Sequence, residues 1–138
     1  MPQFRNPMRD PGQFASAFTR WVYYEVPPTM YFGDVDGIAY AKSRRCFRVF
    51  EWKYEDASLS PGQRTVLPLL ARMIEHEVQC GLFSPDSGVY VLRGTPPFKD
   101  GALIDQPWLK RQQHLSREAL IRLINGQPCP DLWDRADA

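Results

Sequence analysis

The 138-residue chain predicts a single α/β domain, a mixed central sheet flanked by helices, and three observations lead there. Stretches of helical and strand periodicity alternate, which favours a sheet covered by helices over an all-helical or all-β architecture. The length suits one hydrophobic core and is too short for two ordinary domains. Hydrophobic residues at 43% and charged residues at 24% lie near the globular average, which excludes disordered, collagen-like and fibrous chains.

The elements follow in order. Phe14, Phe18, Trp21 and Val22 recur at helical spacing, so a first helix is expected over Gln13–Tyr24, stopped by Pro27 and Pro28. Gly37–Lys42 and Cys46–Lys53 are rich in β-branched and aromatic residues around the polar break Lys42-Ser43-Arg44-Arg45, the pattern of a hairpin. From Pro61 to Val78, the residues Val66, Leu69, Leu70, Met73 and Ile74 form an apolar stripe. Ser60 stands at the N-cap, Pro61 at the first helical position and Gly81 beyond the end. Pro68 predicts a kink or a later start. Ser87–Arg93 reads as a further strand, and Ser116–Ile124 as a short helix capped by Ser116 and closed by Asn125-Gly126. The domain is expected over residues 1–126, with an irregular C-terminal tail over residues 127–138.

Charge and cysteine usage narrow the class. Lys and Arg number 17 against 16 Asp and Glu, so attraction to a polyanion must come from local clusters. Cys46, Cys80 and Cys129 are widely spaced and odd in number, which argues against a zinc or disulfide scaffold. No apolar run approaches the ~20 residues of a membrane span and the N-terminus lacks a secretory pattern, so a soluble cytoplasmic protein without membrane partners is expected.

The chemistry concentrates in the hairpin. Asp34 and Asp36 precede its first strand, and fifteen positions beyond Asp36 the second strand carries Glu51-Trp52-Lys53. Strand side chains alternate, so Glu51 and Lys53 share a face, with α-carbons about 7 Å apart, while Trp52 points away. The preceding run Cys46, Phe47, Val49 and Phe50 is apolar, so charge at its end needs partners, water or an ion. A hairpin register that sets Asp36 beside Glu51 would give the pair of hard oxygen ligands typical of Mg²⁺ sites. Asp34, next to a glycine turn, ranks behind Asp36 as a ligand.

On these residues the chain resembles the PD-(D/E)XK nuclease superfamily, in which an acid near the start of one strand is followed by Glu-x-Lys on the next. Asp36, Glu51 and Lys53 match that pattern, although Val35 stands where proline usually precedes the acid. Gly33-x-x-Asp36 and Ser60-Pro61-Gly62-Gln63 further resemble the viral-type replication-repair branch. The resemblance implies a restriction-endonuclease-like αβββαβ core, whose missing strand would lie in Thr29–Phe32. It implies Mg²⁺ or Mn²⁺ held by Asp36 and Glu51, a water positioned by Lys53, and Gln63 near the scissile phosphate. The implied activity is endonucleolytic hydrolysis of DNA leaving a 5′-phosphate, by a homodimer or a subunit of a larger nucleic-acid-processing complex. The alternative is a catalytically inactive module of the same fold that binds nucleic acid or a protein partner.

Other features have competing explanations. Lys42, Arg44, Arg45 and Arg48 could hold phosphates or form a solvated hairpin tip. Arg64 could reach a phosphate or pair with Glu55 or Asp56. His76 lies between Glu75 and Glu77, but adjacent helical residues diverge by about 100° and cannot converge on one ion. His114 has no second histidine to support a general-base role. Trp21, Trp52, Trp108 and Trp133 are expected as core or interface anchors.

Overall fold

A computed structural model describes residues 35–133 together with Ala17, Trp21, Tyr24 and Glu25. Its strands are β1 (Gly37–Ala41), β2 (Cys46–Lys53), β3 (Gly88–Arg93), β4 (Ala102–Gln106) and β5 (Arg111–Leu115). Its helices are α1 (Pro61–Gln79) and α2 (Arg117–Ile124), with a 3₁₀ turn at Pro107–Leu109. The strands form one mixed sheet in the order β1-β2-β3-β4-β5. Ser58–Leu69 falls in one compact unit, and Val35–Ala57 with the chain from Leu70 onward in a second, which contains the whole sheet.

The hairpin forms as its composition predicts, with Gly37 opposite Phe50 and Ala41 opposite Cys46. A parallel neighbour needs a long crossover, and α1 lies between β2 and β3, which run parallel with Glu51 beside Val91 and Lys53 beside Arg93. β3 is central and buried along Val89–Leu92, which explains its continuous apolar run. Chain beyond Arg93 then adds two antiparallel strands that sequence patterning leaves unread.

One sheet face carries the core. Phe50, Tyr90, Leu92, Ala102, Ile104 and Leu115 meet Ala119, Leu120 and Leu123 of α2, and Cys129 and Leu132 close the cluster. Residues 127–133 are therefore irregular in backbone yet anchored by two buried side chains. The opposite face presents Val49, Val89 and Val91, all buried, followed by Glu51 along the same side of β2.

Local signals account for both helices. At the start of α1, Ser60 N–H donates to Gln63 Oε1 at 2.9 Å, and Gln63 N–H donates to Ser60 Oγ at 3.2 Å, a reciprocal capping box. Pro68 lies inside α1 without ending it. The buried hydrophobic side chains of α1 are Leu67 and Ile74, whereas Leu69 and Met73, expected on the apolar stripe, are exposed. In α2, Ser116 Oγ accepts from Ala119 N–H, as the sequence predicts.

Of the helix expected over Gln13–Tyr24, Ala17, Trp21 and Tyr24 are described; all three are helical and exposed. The strand expected in Thr29–Phe32, and Gly33 and Asp34, lie outside the described residues. Trp21 and Trp52 are exposed rather than core anchors.

Candidate functional site

The second half of β2 positions the candidate site. Alternation turns Phe50 and Trp52 to one face and Val49, Glu51 and Lys53 to the other. The burial agrees: Glu51 is 4% exposed while Trp52 is 39% exposed, its indole Nε1–H donating to Gly94 O at 2.8 Å. Asp36 sits just before β1. Its N–H donates to Phe50 O at 3.1 Å, and its Oδ2 accepts from Trp52 N–H at 2.6 Å. Asp36 thus bonds the residues on either side of Glu51, which makes it the immediate cross-strand neighbour of that carboxylate.

The bond to Trp52 is a use of Asp36 that residue spacing does not reveal. An aspartate at the mouth of the hairpin supplies the acceptor for a main-chain donor near the strand end. Its other oxygen, Oδ1, accepts from no described residue. Among the described residues no three His, Cys, Asp or Glu side chains cluster as a metal-holding set. Two carboxylates are fewer than an all-protein cage needs, but they suit an ion that keeps waters and takes further oxygens from a phosphate.

Beside Lys53 stands a second charged group that pattern reading misses. Arg93, level with Lys53 on β3, donates through Nε to Asp105 Oδ2 at 3.0 Å. Through Nη1 it donates to Ala57 O at 2.6 Å and to Glu55 O at 3.2 Å, tying down the chain that leaves β2. Tyr54, Asp56, Arg93 and Asp105 border an open cavity of about 710 Å³. The only sequence signal for Arg93 is a cation closing an apolar strand; Asp105 lies in a strand that patterning does not identify.

The remaining candidates divide. Gln63, in the capping box, and Arg64 belong to the compact unit that holds Ser58–Leu69, whereas Asp36, Glu51 and Lys53 belong to the other. Lys42 and Arg45 are exposed at the hairpin turn, where Arg45 Nη1 donates to Gly81 O at 3.1 Å. Arg44 is committed inward, donating to Gly126 O and, at 2.8 Å, to Asp86 Oδ2. Arg48, grouped by sequence with the basic hairpin tip, is wholly buried instead. It bonds Asp86 O at 3.0 Å and Leu123 O at 2.6 Å, and pairs with Asp86 Oδ2 at 2.9 Å.

Electrostatics follow from that arrangement. Burial pushes the Asp86 carboxyl upward, but hydrogen bonds from Arg44 and Ser84 and the charge of Arg48 outweigh it and hold the group below its ordinary range. Arg44 is raised in turn, chiefly by its hydrogen bond to Asp86. His76 is exposed and contacts Glu77 at 3.3 Å, an ordinary surface pair. Among the described residues no helix is long and apolar enough to cross a membrane. No protein-family model, curated protein or solved structure matches the chain.

Proposed function

We propose that the chain is a metal-dependent nuclease of the PD-(D/E)XK type, with a restriction-endonuclease-like αβββαβ core and DNA as substrate. The observation that carries this reading is the bracketing of buried Glu51 by Asp36, with Lys53 two residues along the same face of β2. Two neighbouring carboxylates with a lysine alongside are the donor set that suits a divalent cation which keeps waters and takes phosphate oxygens. The order hairpin, helix, parallel strand, with Glu-x-Lys closing the second hairpin strand, also suits the fold reading.

In this reading Asp36 Oδ1 and the Glu51 carboxylate hold Mg²⁺ or Mn²⁺. The bound ion neutralises phosphodiester charge and acidifies a water. Lys53 orients that water and counters charge developing on the phosphoryl oxygens. Arg93 is a positioning residue: by holding Glu55 and Ala57 through their carbonyls, it fixes the chain leaving Lys53. Exposed Lys42 and Arg45 contribute to the backbone contacts of the nucleic acid.

The test is a cleavage assay with Mn²⁺ on single-stranded, duplex and branched DNA. Cleavage should fall by about 100-fold or more, ~2.7 kcal/mol of barrier, in Glu51→Gln and in Lys53→Ala, with thermal unfolding retained. Calorimetric Mn²⁺ binding should weaken in Asp36→Asn. Absence of cleavage on all three substrates, or cleavage surviving both substitutions, rejects the assignment.

A further inference from the structure

At the other end of β3, about 17 Å from Arg93 at the usual strand rise, the sheet borders a cavity of about 620 Å³. That volume suits a site that encloses a small organic ligand. The wall is aromatic on several sides, from Tyr90, Trp108 and Trp133. Arg111 lies 4.2 Å over the Trp133 ring, which extends the flat surface and gives it positive charge. Arg72 of α1 adds a second guanidinium and makes no ion pair or hydrogen bond with any described residue.

Among the described residues, the acids at this cavity do not pair with Arg72. Asp86 is already paired with Arg44 and Arg48, and Glu75 lies on the exposed helix surface, where it accepts from Gln79. The local balance therefore favours an anion. The wall also contains a buried amide, Gln106, 5% exposed. Its Nε2 donates to Val89 O and its Oε1 accepts from Arg111 Nε, each at 2.8 Å. A primary amide has two donor hydrogens and two acceptor lone pairs, so one of each remains. A glutamine amide reads the edge of adenine with one donor and one acceptor.

We propose that this cavity binds an adenine nucleotide, with the base against the tryptophan walls, its edge read by Gln106 and its phosphate met by Arg72. The same chemistry is presented by a free mononucleotide and by one unit of a single strand. Such a site goes beyond the hydrolytic reading and does not depend on it, because none of its residues belongs to the Asp36, Glu51 and Lys53 group.

Tryptophan fluorescence provides the test, using adenosine 5′-monophosphate, adenosine, ribose 5-phosphate and a short oligodeoxyadenylate without added metal. Saturable quenching is expected with the monophosphate, weaker binding with adenosine, and none with ribose 5-phosphate. Arg72→Ala should weaken monophosphate binding by about tenfold while leaving adenosine unchanged, and Trp108→Ala should weaken both. Glu51→Gln should leave all affinities unaltered, which separates failure of this site from failure of the nuclease reading. An oligonucleotide at least tenfold tighter than the monophosphate identifies a strand as the source, and equal affinity identifies the free nucleotide. Absence of saturable quenching by either of them, or an Arg72→Ala protein that binds the monophosphate like the wild type, overturns the proposal.

Discussion

Two buried charges stand three residues apart in β2, on opposite faces, and their cross-strand surroundings differ. Arg48 is surrounded by its complement, the carbonyls of Asp86 and Leu123 and the Asp86 carboxylate. Glu51 instead has a like charge, Asp36, as its cross-strand neighbour. The first arrangement joins strand, turn and helix; the second sets two carboxylates level with each other at the mouth of the hairpin. Burial alone therefore does not say what a charge is for.

Removing each charge should separate the two. The largest effect belongs to Arg48→Met, which leaves Asp86 with Arg44 as its one remaining cation and the end of α2 without its clasp, and should cost about 3 kcal/mol or more in urea unfolding. Arg48→Lys keeps the charge but loses the planar fork, and should recover only part of that loss. If Arg48→Met unfolds like wild type, the complementary-charge account of this end fails.

A smaller, pH-dependent effect is expected at Asp86. Its folded carboxyl titrates below the ordinary value of 3.8, so its contribution is complete above that value and is lost as pH falls through the lowered one. The melting-temperature gap between wild type and Asp86→Asn should accordingly be widest near neutrality and close as pH drops below about 3.8. A gap that widens in acid contradicts the sign.

The smallest effect should come from Glu51→Gln without metal, with stability changing by less than about 1 kcal/mol in either direction, because the substitution keeps the size and shape of the side chain. A loss as large as that of Arg48→Met would make Glu51 a structural group and remove the contrast.

How far residue order revealed the molecule can be traced to particular positions. Ser60-Pro61-Gly62-Gln63 announces α1 because both halves of its capping box are local. The hairpin and β3 are visible because their apolar content is dense. In β4 and β5 the signal is diluted: Asp105 and Gln106 interrupt the first, and the edge strand Arg111–Leu115 buries only Leu115. A polar edge discourages pairing with other chains, and for the same reason it hides from hydrophobic pattern analysis. Within the site, Glu51 and Lys53 share a face as strand alternation requires. The Trp52 bond to Asp36 and the Arg93–Asp105 pair depend on partners 16 and 12 positions away, which no local window contains.

The clasp of Arg48 on Leu123 O joins residues 75 positions apart, at the last turn of an eight-residue helix. So short a segment does not persist alone in water, and closing so long a loop is entropically slow. The order of assembly follows: the hairpin can pair early, whereas α2 docks near the end of folding and seals the core as it does so. In an amide-exchange experiment, the main-chain amides of this helix should gain protection together, as one late cooperative unit.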